Sequence, residues 1–479
     1  MIEGGIKAFA GRKVLLLQGP VGPFFARFAK DLRAAGADVR KINFHGGDWL
    51  FQPNGTLYRG TMEDWPEWLA ARIAEWDIDM LFLFGDCRPV HRAAHDVATR
   101  LGVEVGVFEE GYLRPDFVTL ERHGVNGNSL LPRDPADYLA SPPRQIDVRA
   151  MPRSFWPMVW WGFLYFTIGG FTHGLFPHYR HHRPLTIREM FPWLRSPLRK
   201  ARYALRERGM TARMTGEWSG RFFLVPLQVH NDAQVQFHAD VGGVTGFIVS
   251  TILSFARHAP ADAVLVFKHH PMDRGYCDYT ALIGDTARDT GCTDRIAYIH
   301  DQHMPTILPH CRGMVVINST TGLAAIGCGR PTKTVGTAIY DMPGMTFQGS
   351  LDRFWTEATD HRPDPVLYER FRAELIAATQ INGNFYRRLD PATSASGLIW
   401  TIGGARTTDS RPAANHDARP QIIPAVPTVR PAIPLFPVEG LPVPASLWAR
   451  SGPAEVLPFP RRGPPAIPPA ERPRERART

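Results

Sequence analysis

Cysteine is scarce in this chain of 479 residues. There are five, at Cys87, Cys277, Cys292, Cys311 and Cys328, with no CxxC pair and no zinc-finger spacing. That excludes a disulfide-stapled secreted scaffold and suits reduced thiols in a cytoplasmic protein. No GxGxxG turn follows an apolar strand and no GxxxxGK[ST] loop is present, so the two commonest phosphate cradles are excluded. The first residues, "MIEGGIKAFAGRKVLLLQG", hold no long apolar run before a small-residue cleavage site, so no signal peptide is expected. The acidic pair "DID" at 77–79 precedes a strand instead of following one and reads as a helix end. Neither a metal nor a cofactor is expected. Residues 154–176, "SFWPMVWWGFLYFTIGGFTHGLF", lack Asp, Glu, Lys and Arg entirely.

What is present points to a soluble globular protein. Hydrophobic residues make up 44% and charged residues 21%, and the length suffices for two cores. The formal net charge is +9, but from residue 403 onward eleven Arg face six acids, so five of those charges lie in the tail. No basic stripe with interleaved aromatics occurs in the rest, so no nucleic-acid partner is expected.

Strand and helix patterns alternate in two runs. "KVLLLQG", "DVRKINF", "MLFLFGD" and "EVGVFEEG" read as strands, with "FFARFAKDLRAAG", "DWPEWLAARIAEW" and "PVHRAAHDVATRLG" as helices between them. The pattern restarts near residue 221 with "RFFLVPLQV", "AVLVFKHH", "IAYIHD", "GMVVINS" and "PTKTVG" as strands. Such alternation predicts parallel sheets covered on both faces. The expected division is an N-terminal α/β domain over 1–140, an aromatic and basic connection over 141–219, a C-terminal α/β domain over 220–402 and a disordered Pro/Arg-rich tail over 403–479. Within the connection, Trp156, Trp160 and Trp161 with nearby Arg and His suit a bilayer interface. A buried interdomain helix hairpin and a membrane span are the alternatives.

In an open parallel sheet, ligands bind beyond the carboxyl ends of the strands. "QGPVGPFF" places Gln18 and Gly19 there, and "GDCRPVHR" places Asp86 and Arg88. Glu109 and Glu110 end the fourth strand, ahead of "GYLRPDF" with Arg114. Adjacent carboxylates oppose each other's ionisation, which can produce a general acid or base, although a solvated turn or capping pair would look the same. Asp232 follows "LQVHN", where a carboxylate could act as a nucleophile or form an Asx-turn. "NSTTGLAA" sets Asn318, Ser319, Thr320, Thr321 and Gly322 at a strand-to-helix junction, an arrangement that fits a phosphate group or a simple helix cap. "FKHHP" ends a strand of the same half, and Lys268 and His270, with Pro271 stopping the strand, could stabilise a leaving phosphate.

Taken in order, "QGPVGPFF", "GDCRPVHR", "FEEGYLRPDFVTLERHGVNG", "LQVHNDAQ", "FKHHPMDRGY" and "NSTTGLAA" resemble the capsular polysaccharide β-Kdo transferases of Gram-negative bacteria, of the KpsS/LipB type. The likeness spans roughly residues 12–400. It implies a GT-B architecture, which matches the α/β fold of two Rossmann-like domains facing a cleft read from the strand pattern, with the aromatic connection, read from its composition, as a membrane-contacting insertion. It implies CMP-Kdo as donor and phosphatidylglycerol or its lyso form as the acceptor of a first β-Kdo. An anionic membrane surface and other capsule assembly and export proteins are the remaining partners. The expected location is cytoplasmic, peripheral on the inner face of the inner membrane.

By the same resemblance, the acidic-pair-Gly motif falls on Glu109-Glu110-Gly111, the Gln-strand motif on Gln228 to Asp232, the His-Pro motif on His270-Pro271 and the Ser/Thr motif on Ser319-Thr320-Thr321. Related chain-extending enzymes carry Glu-Asp-Gly where this chain has Glu-Glu-Gly. The expected mechanism is a retaining double displacement. Asp232 is the nucleophile, Glu110 the base with Glu109 as its substitute, and Gln228, Lys268, His270 and the "NSTTG" segment hold the donor. Gln18, Gly19, Asp86, Arg88 and Arg114 are candidates for acceptor or sugar contacts. Two readings compete: an inverting CMP-sialic acid-type transferase and a non-catalytic capsule assembly or export protein.

Overall fold

A computed structural model describes residues 4–140, 146, 148–180, 190–231, 235, 239, 241–392 and 394–400. Asp232 and the tail expected from residue 403 lie outside the described residues.

The first sheet is formed by β1 (Lys13–Leu16), β2 (Asp38–Asn43), β3 (Thr56–Leu57), β4 (Met80–Phe84), β5 (Glu104–Glu110) and β6 (Phe117–Arg122). Its principal helices are α1 (Phe24–Ala34), α2 (Gly46–Phe51), α3 (Trp65–Glu75) and α4 (Pro89–Arg100). The connection carries α5 (Phe155–Phe171) and α6 (Met190–Arg206). The second sheet holds β7 (Phe222–Pro226), β8 (Val264–Lys268), β9 (Ile296–Ile299), β10 (Gly313–Val316) and β11 (Thr332–Thr334). Its principal helices are α7 (Gly243–His258), α8 (Thr280–Asp289) and α9 (Thr321–Gly327). The chain then runs through α10 (Pro365–Thr379) into β12 (Gln380–Asn382).

The five-stranded parallel parts of the two sheets share one topology. The order is β12-β6-β5-β4-β1-β2-β3 in the first and β11-β10-β7-β8-β9 in the second. β1 to β5 pair in parallel, as do β7 to β11. Strand order therefore reverses between β1 and β4, and again between β7 and β10. These are the switch points at which open sheets leave a crevice for ligands. The result is the expected α/β architecture of GT-B type.

Burial on both sides explains the near-continuous apolar runs of β4, β7, β8 and β10. Phe82 and Phe108 point to one face and pack with Phe24 and Phe28 of α1. Leu81 and Leu83 point to the other, against Leu69 and Ile73 of α3 and Ala94 and Val97 of α4. Phe28 is fully buried, and its truncation to Ala would cost about 3–5 kcal/mol.

Three strands are absent from the sequence reading: the two-residue β3, which pairs parallel with β2, and the antiparallel β6 and β12. β6 pairs antiparallel with β5, and β12 pairs antiparallel with β6. Ile381, Phe385 and Leu398 then join the core around Phe28. The chain from about 380 to 400 thus packs with the first sheet, whereas the sequence reading groups it with the second. The physical reason is the free edge of β6, whose backbone groups need a partner. β12 supplies one from more than 250 residues away.

Candidate functional site

At the carboxyl edge of the first sheet, a buried polar network surrounds Gln18. Its side-chain amide donates to Asp48 Oδ2 at 3.2 Å and to the Tyr179 hydroxyl at 2.7 Å. Arg88, on the loop after β4, donates to Gln18 Oε1 at 3.2 Å. The contact bridges the switch point. His45 Nδ1 accepts from the Gly47 amide at 2.9 Å, so its Nε2 carries the proton and meets the Tyr165 hydroxyl at 2.6 Å. Tyr165 in turn donates to Asp48 Oδ1 at 3.1 Å. Burial holds the His45 imidazole below its usual range and therefore neutral, and pushes the Lys41 ammonium down to about 8. Gly46 and Gly47 let this edge approach α5 closely. A Cβ on Gly46 would stand 1.7 Å from Thr172 Oγ1.

The acidic pair splits into two environments. Glu109 is pushed up to about 7, chiefly by burial, and Glu110's charge adds to the effect. Its Oε1 accepts from the Glu110 amide at 2.9 Å. Glu110 instead accepts from the Tyr386 hydroxyl at 3.1 Å. The next residue but one, Tyr112, packs in one apolar cluster with Leu323 and Tyr340 of the second half. That cluster brings the end of β5 toward the "NSTT" junction, because Tyr340 also donates to Ser319 O at 2.5 Å.

The second sheet repeats the arrangement at its own switch point. Gln228, two residues past β7, donates to Asn318 Oδ1, two residues past β10, at 3.0 Å. Ser319 Oγ accepts from the Thr321 amide and hydroxyl at 3.3 and 2.9 Å. Thr320 is the N-cap of α9, and Gly322 lies against the Tyr340 hydroxyl, where a side chain would collide. Of the three cationic candidates in "FKHHP", only His270 is partly exposed. Lys268 is buried and donates to His300 O at 3.1 Å, and burial lowers its ammonium pKa. His269 is buried, 2.6 Å from the Tyr298 hydroxyl, and pushed down to about 4 by burial. His270 Nδ1 accepts from the Met272 amide at 3.2 Å and caps the turn that Pro271 begins.

Not every candidate joins these edges. Asp86 is buried and occupied: it accepts from the Val125 amide at 3.1 Å and the Asn128 side chain at 2.9 Å, holding that loop. Arg114 donates to the carbonyl of Gly111 at 3.2 Å, within its own turn. Gly19 packs against Phe25. Trp161, grouped with Trp156 and Trp160 by sequence, turns inward: its indole donates to Tyr386 O at 3.3 Å and Arg27 lies over its ring.

Sequence reasoning missed His45, Asp48, Tyr165 and Tyr179. "FHGGDW", a polar run directly after β2, carried the signal for the first two. It also missed His230, whose Nδ1 lies 2.6 Å from buried Asp273. That contact, with Cys277 beside it, raises the imidazole to about 10. His230, Asp273 and Cys277 present donor atoms within 4.8 Å of one another and could hold a divalent cation. The short contact to Asp273 already forms an ion pair there.

Residues 79–386 match the family model described as capsule polysaccharide biosynthesis protein. The capsule polysaccharide export protein KpsS of Escherichia coli is 39% identical over 381 residues, covering 79% of this chain and 97% of its own. The capsule polysaccharide modification protein LipB of Neisseria meningitidis serogroup B is 38% identical over 391 residues, covering 79% of this chain and 93% of its own. Among solved structures, the beta Kdo 2,7 transferase KpsC of Thermosulfurimonas dismutans aligns over 81% of this chain and 95% of its own, at 12% identity and a TM-score of 0.39. With the motifs falling at the strand ends of both sheets, the chain belongs to the capsule polysaccharide biosynthesis protein family.

Proposed function

We propose that this chain is a retaining glycosyltransferase that adds the first β-Kdo, from CMP-Kdo, to phosphatidylglycerol or its lyso form. The observation that carries the reading is the pair of bridged switch points, Gln18 with Arg88 and Gln228 with Asn318. A two-substrate transferase needs two such crevices, one for donor and one for acceptor. The choice of CMP-Kdo and of the lipid rests on the motif resemblance.

In the proposed reaction Asp232 attacks the anomeric carbon and CMP leaves. His270 and the hydroxyls of Ser319, Thr320 and Thr321 stabilise the departing phosphate, with Gln228 and Asn318 orienting it. Lys268 contributes from below, through His300, instead of touching the donor. The acceptor hydroxyl then attacks the glycosyl-enzyme and passes its proton to a carboxylate. Glu109 is the better placed of the pair for that step, because a carboxyl near 7 can take a proton at neutral pH and Glu110 is tied to Tyr386. Two successive inversions give retention.

No helix among the described residues is long and apolar enough to cross a membrane. α5 is nonetheless two-faced. Gly162, Tyr165 and Gly169 are buried, whereas Trp156, Trp160, Phe163 and Phe171 are exposed on the opposite side. We place that outer face on the anionic inner surface of the inner membrane, where a lipid acceptor would lie.

The test is turnover of CMP-Kdo with a short-chain lysophosphatidylglycerol, with product mass and anomeric configuration read by NMR. A β-linked product supports the reading. Absence of CMP release favours the assembly or export role that the Escherichia coli relative's name suggests.

A further inference from the structure

The second half carries an apolar face of its own. α6 contains five basic residues and no acid. Leu194, Leu198 and Leu205 are 65%, 74% and 60% exposed. At about 100° per residue these three fall within an arc of roughly 40°. Ala201 lies in the same stripe and is exposed. The opposite side of the helix is fixed. Tyr203 is buried and stacks on His300 with ring centroids 3.5 Å apart. Arg199 donates to the carbonyls of Arg274 and Cys277 at 2.8 and 3.3 Å, and Arg195 to those of Gly275 and Tyr276. Gly275 lies so near Pro192 that a Cβ there would stand 2.1 Å from its carbonyl oxygen. Just past the helix, Glu207 accepts from the His300 amide at 3.1 Å and the Gln302 side chain at 2.6 Å.

α6 is therefore clamped to the loops after β8 and β9, with its leucines facing away from the protein. Exposed Lys200, Arg202 and Arg206 flank the stripe. Three leucines in water, bordered by cations and with no carboxylate on the helix, match an anionic lipid surface in both solubility and charge. A nucleic-acid backbone would complement the cations but not the leucines.

We infer that α6 is a second membrane-docking element, fastened to the half that carries "KHHP" and "NSTT", so that both halves of the protein rest on anionic lipid. This extends the contact proposed for α5 and does not depend on the donor or the reaction.

The experiment is sedimentation of the full chain with vesicles of phosphatidylethanolamine and phosphatidylglycerol, and with phosphatidylcholine vesicles, at low and high salt. Four variants are compared: W156S/W160S, L194S/L198S/L205S, both sets combined, and K200E/R202E/R206E. The leucine variant should bind anionic vesicles at least ~tenfold more weakly, the combined variant more weakly than either, and the thermal midpoint should stay unchanged. K200E/R202E/R206E should lose binding at low salt. Binding of the leucine variant equal to the parent's, with the tryptophan variant impaired, overturns the inference and leaves α5 as the sole contact. Equal, salt-insensitive binding to phosphatidylcholine overturns the role assigned to the cations. Turnover with a short-chain soluble acceptor is a separate readout. If it is absent in the parent while α6-dependent binding persists, the transferase reading fails and the docking inference stands.

Discussion

Replacing Glu109 with Gln should remove transfer and yet stabilise the protein. The Glu109 carboxyl is raised from 4.5 to about 7, chiefly because burial penalises its charge. Below about pH 4.5 the group is protonated both folded and unfolded, and its contribution is fully present. Between 4.5 and 7 the unfolded chain releases a proton that the folded protein retains. Above 7 both forms are ionised, and the folded state carries the whole cost of a buried charge. At roughly 1.4 kcal/mol per pKa unit this amounts to about 3 kcal/mol lost as pH rises through 7. Solvent reaching the half-buried side chain makes that figure a ceiling. Gln keeps an acceptor for the Glu110 amide and has no charge to bury. Thermal unfolding of parent and Glu109→Gln at pH 4.5 and pH 8 reads the difference. The variant's advantage should be small at pH 4.5 and several degrees at pH 8. In the parent, kcat/KM should rise with pH through about 7, as a base with this pKa requires. An advantage of the same size at both pH values would refute the raised carboxyl, and with it the assignment of the base.

Three further outcomes are expected. His270→Ala should lower turnover by about ten- to a thousandfold with little change in melting, because it removes a stabiliser of the leaving phosphate. An unchanged rate would remove that role. Asp232→Asn should abolish transfer, and mass spectrometry of the parent with donor and a slow acceptor should find one Kdo on the Asp232 peptide. An active variant whose Asn has not deamidated, or an adduct on Glu109 or Glu110, would reject Asp232 as nucleophile. Gly46→Val should cost on the order of 2 kcal/mol or more, since its Cβ would meet Thr172 Oγ1 at 1.7 Å. The change should weaken vesicle binding as well as melting, and full retention of both would show that α5 is not seated through Gly46.

The parallel strands were legible because burial on both faces leaves uninterrupted runs such as "MLFLF" and "VLVFK". Their ends were legible for the same reason, and most polar candidates fell where the runs stop. β6 was not, because "FVTLER" mixes charge into a strand whose outer edge depends on β12. β12 itself is three residues long and carries no period. The order of the acidic pair was equally hidden: Glu109 and Glu110 are neighbours with one chemistry, and only their surroundings separate them. In "FKHHP" composition suggested a cluster of cations, yet the fold buries Lys268 and His269 and leaves His270 at the surface. The three tryptophans of α5 divided similarly. Helical spacing sends Trp156 and Trp160 outward, and Trp161, one position on, turns toward Arg27.

The network that sequence reasoning missed links the two parts of the proposed function. Tyr165 belongs to α5, whose outer face is aromatic, and its hydroxyl contacts both His45 and Asp48. Tyr179, beyond that helix, donates to Gln18 Oε1 at 3.0 Å and stacks on His45. Gln18 in turn holds Arg88 across the switch point. A shift of α5 would have to break or carry these contacts, and because Asp48 and His45 are buried, a lost partner would leave a polar group unsatisfied at high cost. The proposed docking face and the first crevice are therefore joined by one hydrogen-bonded network. Under the proposed function, an acceptor presented by a membrane would meet a site whose geometry is set by the same helix that we propose rests on the lipid.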